Sequence, residues 1–304
     1  MKILTHRMVD VGDIQLHVVE AGSGPTVLLL HGLPGYWYSW RNQIESLVAA
    51  GYRVVVPDLR GVNSSGRSKA VSSYRIQYLA RDVVSLMDTL KCTPVVLVGQ
   101  GWGGLVAWRI ANDYSSLVKK LVILNMPHPQ KLRLGLRDRR YLRGRLAWLM
   151  LQLPWVPDTL LDWSRELWVK RSFATGLSMT RDLSRNEVWE FQRTMSSPGA
   201  VSAVLNHLRA LRYEWNVDWE SELRRIDCET LLIWGERERS FSDGMKAPGR
   251  MWVPKVEEMT ISGAGRFPQM ERPIALNEAL LGFMKRSPDS GGSTEVSRAS
   301  LAAG

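Results

Sequence analysis

The sequence predicts an α/β fold, with a mostly parallel central sheet, helices on both faces and a helical insertion. Three observations predict it. Unbroken apolar runs recur at Val27–Leu30, Val54–Val56, Pro94–Val98 and Leu121–Leu124, as strands buried on both faces require. Helical periodicity separates them, giving the alternation that builds parallel sheets. From Met126 to about Trp215 strand patterns disappear, and they return afterwards.

Taken in order, Ile14 to Val19 alternates in character, and Val27–Leu30 is the first continuous run. Val54-Val55-Val56 ends at Pro57-Asp58. Ile76, Leu79, Ala80, Val83, Val84, Met87 and Leu90 form one stripe at helical spacing. Pro94–Val98 predicts a buried strand, and Leu105 to Ala111 a helix packed closely on it. Leu121–Leu124 is the next strand. The segment after Met126-Pro127-His128-Pro129 is rich in Arg, Leu and Trp, broken at Leu153-Pro154-Trp155-Val156-Pro157 and Ser197-Pro198-Gly199. It predicts a helical cap over the C-terminal edge of the sheet. Strands resume at Thr230–Trp234 and Val256–Ile261. A last helix opens at Pro273, a good first-turn residue, with Leu276, Leu280, Phe283 and Met284 inward. The expected organisation is a core in two parts, residues 1–127 and 216–286, a cap at 128–215, and a Ser, Gly and Ala-rich disordered tail at 287–304.

The chain has 304 residues, 45% hydrophobic and 23% charged, values of an ordinary packed domain with an insertion. Cys92 and Cys228 each precede an apolar run. They suit buried free thiols in a reducing compartment, so a cytoplasmic protein is expected. No apolar run is long enough to span a bilayer. No cofactor or metal is expected. The net charge is +10, and Lys131 to Arg145 concentrates it, with seven basic residues against Asp138. That run is either a solvated helix face or a weak contact for an anionic membrane or an acidic partner. Charge alone, without a motif, does not point to nucleic acid.

Gly99-Gln100-Gly101-Trp102-Gly103-Gly104 joins the strand at 94–98 to the helix at 105–111. A small-X-nucleophile-X-small-small turn between strand and helix is a nucleophile elbow. Its middle position is Gly101, which has no side chain to attack with.

Several further motifs occur in one order: His31-Gly32-Leu33-Pro34-Gly35, Trp37-Tyr38-Ser39-Trp40-Arg41, Asp58-Leu59-Arg60-Gly61, Asn125-Met126-Pro127-His128-Pro129, Gln152-Leu153-Pro154-Trp155, Trp234-Gly235-Glu236 and Gly263-Ala264-Gly265. In that order and spacing the chain resembles the α/β-hydrolase superfamily, and within it the epoxide hydrolases and their haloalkane and fluoroacetate dehalogenase relatives. The resemblance covers roughly residues 5 to 286. It implies an elbow aspartate that forms an alkyl-enzyme ester. It also implies a histidine, held by an acid, that activates the hydrolytic water, and two cap tyrosines that donate to the epoxide oxygen.

Carried over residue by residue, the resemblance puts Gly101 at the nucleophile, Glu238 at the acid and Arg266 at the histidine. It puts Ala147 and Leu208 at the two tyrosines, and Gln100 where histidine is common. Arginine stays protonated and cannot serve as the base. The degenerate set excludes the usual ester mechanism. Glu238 and Arg266 are expected to face each other as an ion pair, with Arg266 alternatively facing a ligand carboxylate or phosphate.

The resemblance also implies a surviving pocket. His31, Gly32, Leu33 and the Trp102 N–H lie where the family builds its oxyanion hole. Tyr36, Trp37, Tyr38, Trp102 and Trp155 supply an aromatic lining, each also compatible with ordinary packing. His31 and His128 match structural positions, whereas His207 is a candidate relocated acid or base. Asp58 is expected to organise a turn, and Gln100 to support the elbow. Two readings follow for a hydrophobic small molecule. One is non-hydrolytic chemistry (cyclisation, isomerisation or addition) by positioning with Glu238 or His207. The other is a pseudoenzyme that binds or regulates.

Overall fold

The structure, a computed structural model, describes residues 4–136, 146, 149–153, 156–164, 184–214 and 223–286. The expected tail at 287–304 lies outside them.

Alternation within each apolar run builds the sheet. The strands are β1 Thr5–Asp10, β2 Gln15–Ala21, β3 Thr26–Leu30, β4 Arg53–Pro57, β5 Val95–Gln100, β6 Val118–Leu124, β7 Glu229–Gly235 and β8 Val256–Ile261. They lie in the order β1-β2-β4-β3-β5-β6-β7-β8. β2 pairs antiparallel with β1 and β4, and the other pairings are parallel. Successive side chains point to opposite faces. Leu28 and Leu30 of β3, Leu97 of β5 and Leu121 and Ile123 of β6 enter one core. Val27 and Leu29, Val96 and Val98, and Val122 and Leu124 enter the other. Burying one such side chain is worth about 1.5–3 kcal/mol, which makes these central strands the main source of stability.

Helices α1 (Arg41–Ala49), α2 (Ile76–Thr89) and α3 (Trp102–Asp113) cover the sheet. α2 and α3 pack on the first core and α1 on the second. The predicted stripe of α2 holds, with Leu86 also buried and Val84 at its margin. Asp82 is buried on the same helix because Arg60 pairs with it at 2.7 Å and with Asp13 at 2.8 Å.

In the cap, the described helices are α4 Pro129–Leu136, α5 Val156–Trp163, α6 Arg185–Met195 and α7 Ala200–Glu214. A reciprocal Ser184–Glu187 capping box starts α6. Arg41 of α1 pairs with Glu187, tying cap to core. Arg209 of α7 donates to Leu151 O at 2.7 Å and pairs with Asp158 of α5. α8 (Pro273–Lys285) closes the fold, with Leu276, Leu280, Phe283 and Met284 buried as expected. Among the described residues no helix is long and apolar enough to cross a membrane. Cys92 and Cys228 are free, the first buried and the second half-buried. Burial pushes both thiols up, that of Cys228 to about 11.

Candidate functional site

The elbow is built by close packing of β5, β3 and α3. An added Cβ on Gly103 would lie 2.4 Å from Leu30 O. Only a residue without Cβ lets the helix start so near the sheet. Gly101 is different. It sits at φ 52°, ψ −116° as the cap of α3, where an L side chain costs on the order of 1–3 kcal/mol. Yet among the described residues a Cβ there would meet only Gly32 Cα, at 3.8 Å. The backbone of an elbow is present, and the described residues leave space for a side chain with it.

Three side chains lock the loops around this turn. Gln100 is buried; its Oε1 accepts from Gly32 N at 3.1 Å, and its Nε2 donates to Arg266 O at 2.9 Å. Asn125 accepts from Gly235 N at 2.9 Å and donates to Gly265 O at 2.8 Å. Glu271 accepts from Gly265 N and Phe267 N at 2.8 and 2.9 Å, on either side of Arg266. Site reasoning from sequence missed Asn125 and Glu271 as loop-holders. Their signal was faint: Asn125 directly follows β6, and Glu271 ends the short helical turn Pro268–Glu271.

The donor set differs from expectation. The Gly32 N–H is taken by Gln100 and is unavailable to a ligand. Among the described residues neither Leu33 N nor Trp102 N has an acceptor, so these two form the donor pair. His31 contributes no side-chain donor to the site. Its Nδ1 contacts Gly32 O and its Nε2 accepts from Leu59 N, both at 3.0 Å. Burial lowers its pKa.

The expected Glu238–Arg266 ion pair is not formed among the described residues. Arg266 is exposed, held by its backbone, and Glu238 is buried and accepts from Ser240 N at 2.6 Å. Glu238 is satisfied by its own loop, which removes the pull on the guanidinium.

His207 is buried, edge-on to Tyr74 and Trp102 at centroid distances of 4.9 and 5.8 Å. Its Nε2 lies 2.9 Å from Arg60 O. A carbonyl only accepts, so Nε2 carries the proton and Nδ1 the lone pair. Burial pushes its pKa down to about 3. Burial thus disfavours the charged ring, which counts against a relocated acid or base role for His207.

Leu208 beside it is half-buried against the first core and has no hydroxyl to donate. Ala147 and Trp155 lie outside the described residues, as do 137–145 of the basic run.

The aromatic lining also shifts. Tyr36 is fully buried, packing with Phe191, Met195, Val204, Phe267 and Met270 between cap and core. Its hydroxyl donates to Glu190 at 3.0 Å. Among the described residues it acts as a packing residue between cap and core. Trp37 is half-buried, and its N–H donates to Asp58 at 2.7 Å. Asp58 also accepts from Asn63 at 2.7 Å and meets His17 at 2.7 Å. His128 is buried edge-on to Trp108, and burial lowers its pKa to about 4. A cavity of about 390 Å³ in the cap is lined by Asp158, Thr159, Ser196, Ser197 and Ser202 among others, and by no elbow residue.

Strand, elbow, tightly packed helix and cap define the class. The chain matches the family described as alpha/beta hydrolase fold over residues 25–273. It belongs to that family and is epoxide hydrolase-like within it. The AB hydrolase superfamily protein YfhM of Bacillus subtilis (strain 168) is 32% identical over 287 residues, covering 92% of this chain and 97% of the relative. Epoxide hydrolase 4 of Mus musculus is 31% identical over 293 residues, covering 92% and 80%. The crystal structure of Epoxide Hydrolase A from Mycobacterium thermoresistibile superposes with a TM-score of 0.81 at 27% identity, covering 93% of this chain and 98% of that one.

Proposed function

We propose that this protein is a non-hydrolytic member of its family that holds a hydrophobic small molecule at the elbow. The observation that carries the reading is Gly101, in elbow geometry with space for a side chain and none present. Arg266 at the base position agrees with it. Any chemistry at this site rests on orientation, which is worth roughly 7–11 kcal/mol at best and suffices for cyclisation, isomerisation or addition. The binding or regulatory role is favoured by one observation: His207 is fully buried with its Nε2 anchored on Arg60 O. The free thiols suit a reducing compartment, the cytoplasm.

The test is turnover of epoxide, haloalkane and aryl-ester panels by wild type and by Gly101→Asp with Arg266→His. Wild type is expected to show no hydrolysis above buffer. Wild-type turnover that survives Glu238→Ala and His207→Ala would overturn the reading. Native mass spectrometry of protein from its own host separates the two roles. A co-purifying molecule that returns chemically changed marks an enzyme, and one that returns intact marks a binder.

A further inference from the structure

We propose that His6 and His17 form a surface chelate for a divalent ion that favours imidazole nitrogen, of which Zn²⁺ is the type, clasping the edge strand β1 to β2. No residue of the elbow takes part.

Strand pairing brings the two rings together. In the antiparallel β1–β2 pair His6 stands opposite Val19, and Met8 opposite His17. Side chains two apart share a face, so His6 and His17 are diagonal neighbours on one face of the sheet edge, within reach of each other. His6 Nδ1 lies 3.1 Å from His17 Nε2, with ring centroids 5.3 Å apart and the planes tilted by 31°. The rings therefore meet edge to edge through these nitrogens. Two nitrogens bound to one zinc at about 2.0–2.1 Å and a near-tetrahedral angle are about 3.3 Å apart. The pair is nearly at chelating distance, and His6 is exposed, which gives an ion and its waters access.

Proton placement agrees. A carboxylate only accepts, so the 2.7 Å contact with Asp58 Oδ2 puts the proton of the neutral His17 ring on Nδ1. The lone pair is then on Nε2, facing His6. Asp58 is fully buried and fixed in turn: Oδ1 accepts from Trp37 N and Oδ2 from Asn63 Nδ2, each at 2.7 Å. Ser65 Oγ accepts from His17 N at 2.9 Å and donates to Asp58 O at 2.6 Å. A carboxylate that holds one ring nitrogen while the other faces the metal is the usual support of a metal-bound histidine. As the ion enters, the proton between the two neutral rings moves to Nε2 of His6, leaving a lone pair on its Nδ1. The Trp37 ring packs edge-on to His6, at 5.1 Å and 83°, and limits how that ring can turn.

Among the described residues no group of three or more His, Cys, Asp or Glu is placed to hold a metal. Two nitrogens fill half a tetrahedral set and water the rest, which makes the chelate reversible. Its effect falls on β1, where Thr5 to Met8 are all exposed.

The test is calorimetric titration of the full-length protein with Zn²⁺ and with Mg²⁺ in a buffer that does not chelate. One equivalent of Zn²⁺ is expected to bind saturably, and Mg²⁺, which prefers oxygen ligands, at least a hundredfold more weakly. His6→Ala changes an exposed position and should weaken Zn²⁺ at least tenfold. Imidazole ¹⁵N NMR of the wild type needs no variant to fold: Zn²⁺ is expected to displace the signals of two of the five histidines, His6 and His17. Absence of saturable Zn²⁺ binding overturns the chelate and leaves the pair as a hydrogen bond only. Equal affinity for Mg²⁺ overturns it, as does binding that His6→Ala leaves unchanged or that displaces His31, His128 or His207 instead.

Discussion

At the residue scale, Gly101 and His207 decide what this site can do. Gly101→Asp is expected to fold, because among the described residues a Cβ meets nothing closer than 3.8 Å. It should lose on the order of 1–3 kcal/mol through its left-handed φ, read as a lower midpoint in urea. His207→Ala removes a buried ring that packs on two aromatics and leaves Arg60 O without its donor. A loss of about 2–5 kcal/mol is expected by the same measurement. Arg266→Ala should cost under about 0.5 kcal/mol, since its side chain is exposed. The three together separate scaffold from bystander. His207 belongs to the scaffold, although its place beside Leu208, a position the resemblance gives to a cap tyrosine, makes it a candidate acid or base in sequence.

At the element scale, Gln100 links the ends of β3, β5 and the loop after β8 with one amide. Gln100→Leu leaves Gly32 N and Arg266 O unpaired, each worth about 1–3 kcal/mol if kept from water. Faster amide exchange at residues 32–35 and 264–267 is expected, with the strand interiors unchanged. Unaltered exchange there would show that the loops do not depend on this tie. Much of the fold was legible because β3, β5, β6 and β7 feed alternate side chains to two cores, a pattern visible in the apolar runs. β1 was not legible, because Thr5 to Met8 are all exposed and only Val9 is buried. An edge strand held mainly by backbone pairing leaves no apolar alternation to read. At the site, the elbow turn was legible at Gly101, whose backbone conformation follows the motif. The site's new contacts were not, since a motif position specifies a side chain and not whether its own loop will satisfy it, as with Glu238.

At the scale of the whole molecule, three buried histidines give stability a common pH dependence. His31, His128 and His207 all have lowered pKa values, burial being the largest cause in each. Below the ordinary value of about 6.5 the unfolded chain binds more protons than the folded one. Stability is therefore complete above that value and falls as the pH drops, until each folded-state pKa is passed. For His128 and His207 those limits are about 4 and about 3. Each of these two buried groups contributes a slope of about 1.4 kcal/mol per pH unit inside its window. Melting temperatures measured from pH 7 to pH 4 should fall steadily, and more shallowly in His128→Phe. A flat profile would mean that these rings reach water in the native state.

The space around Gly101 also bears on mutational distance. A glycine codon of the form GGY becomes an aspartate codon by a single base change, and an arginine codon of the form CGY becomes histidine by another. Among the described residues nothing need repack between this elbow and a charged one, because the turn already holds the conformation that a side chain there would take. The protein is thus a neighbour, in sequence space, of nucleophile-bearing variants that share its backbone. Selection of point-mutant libraries for turnover can ask how few steps separate this elbow from one that bears a nucleophile.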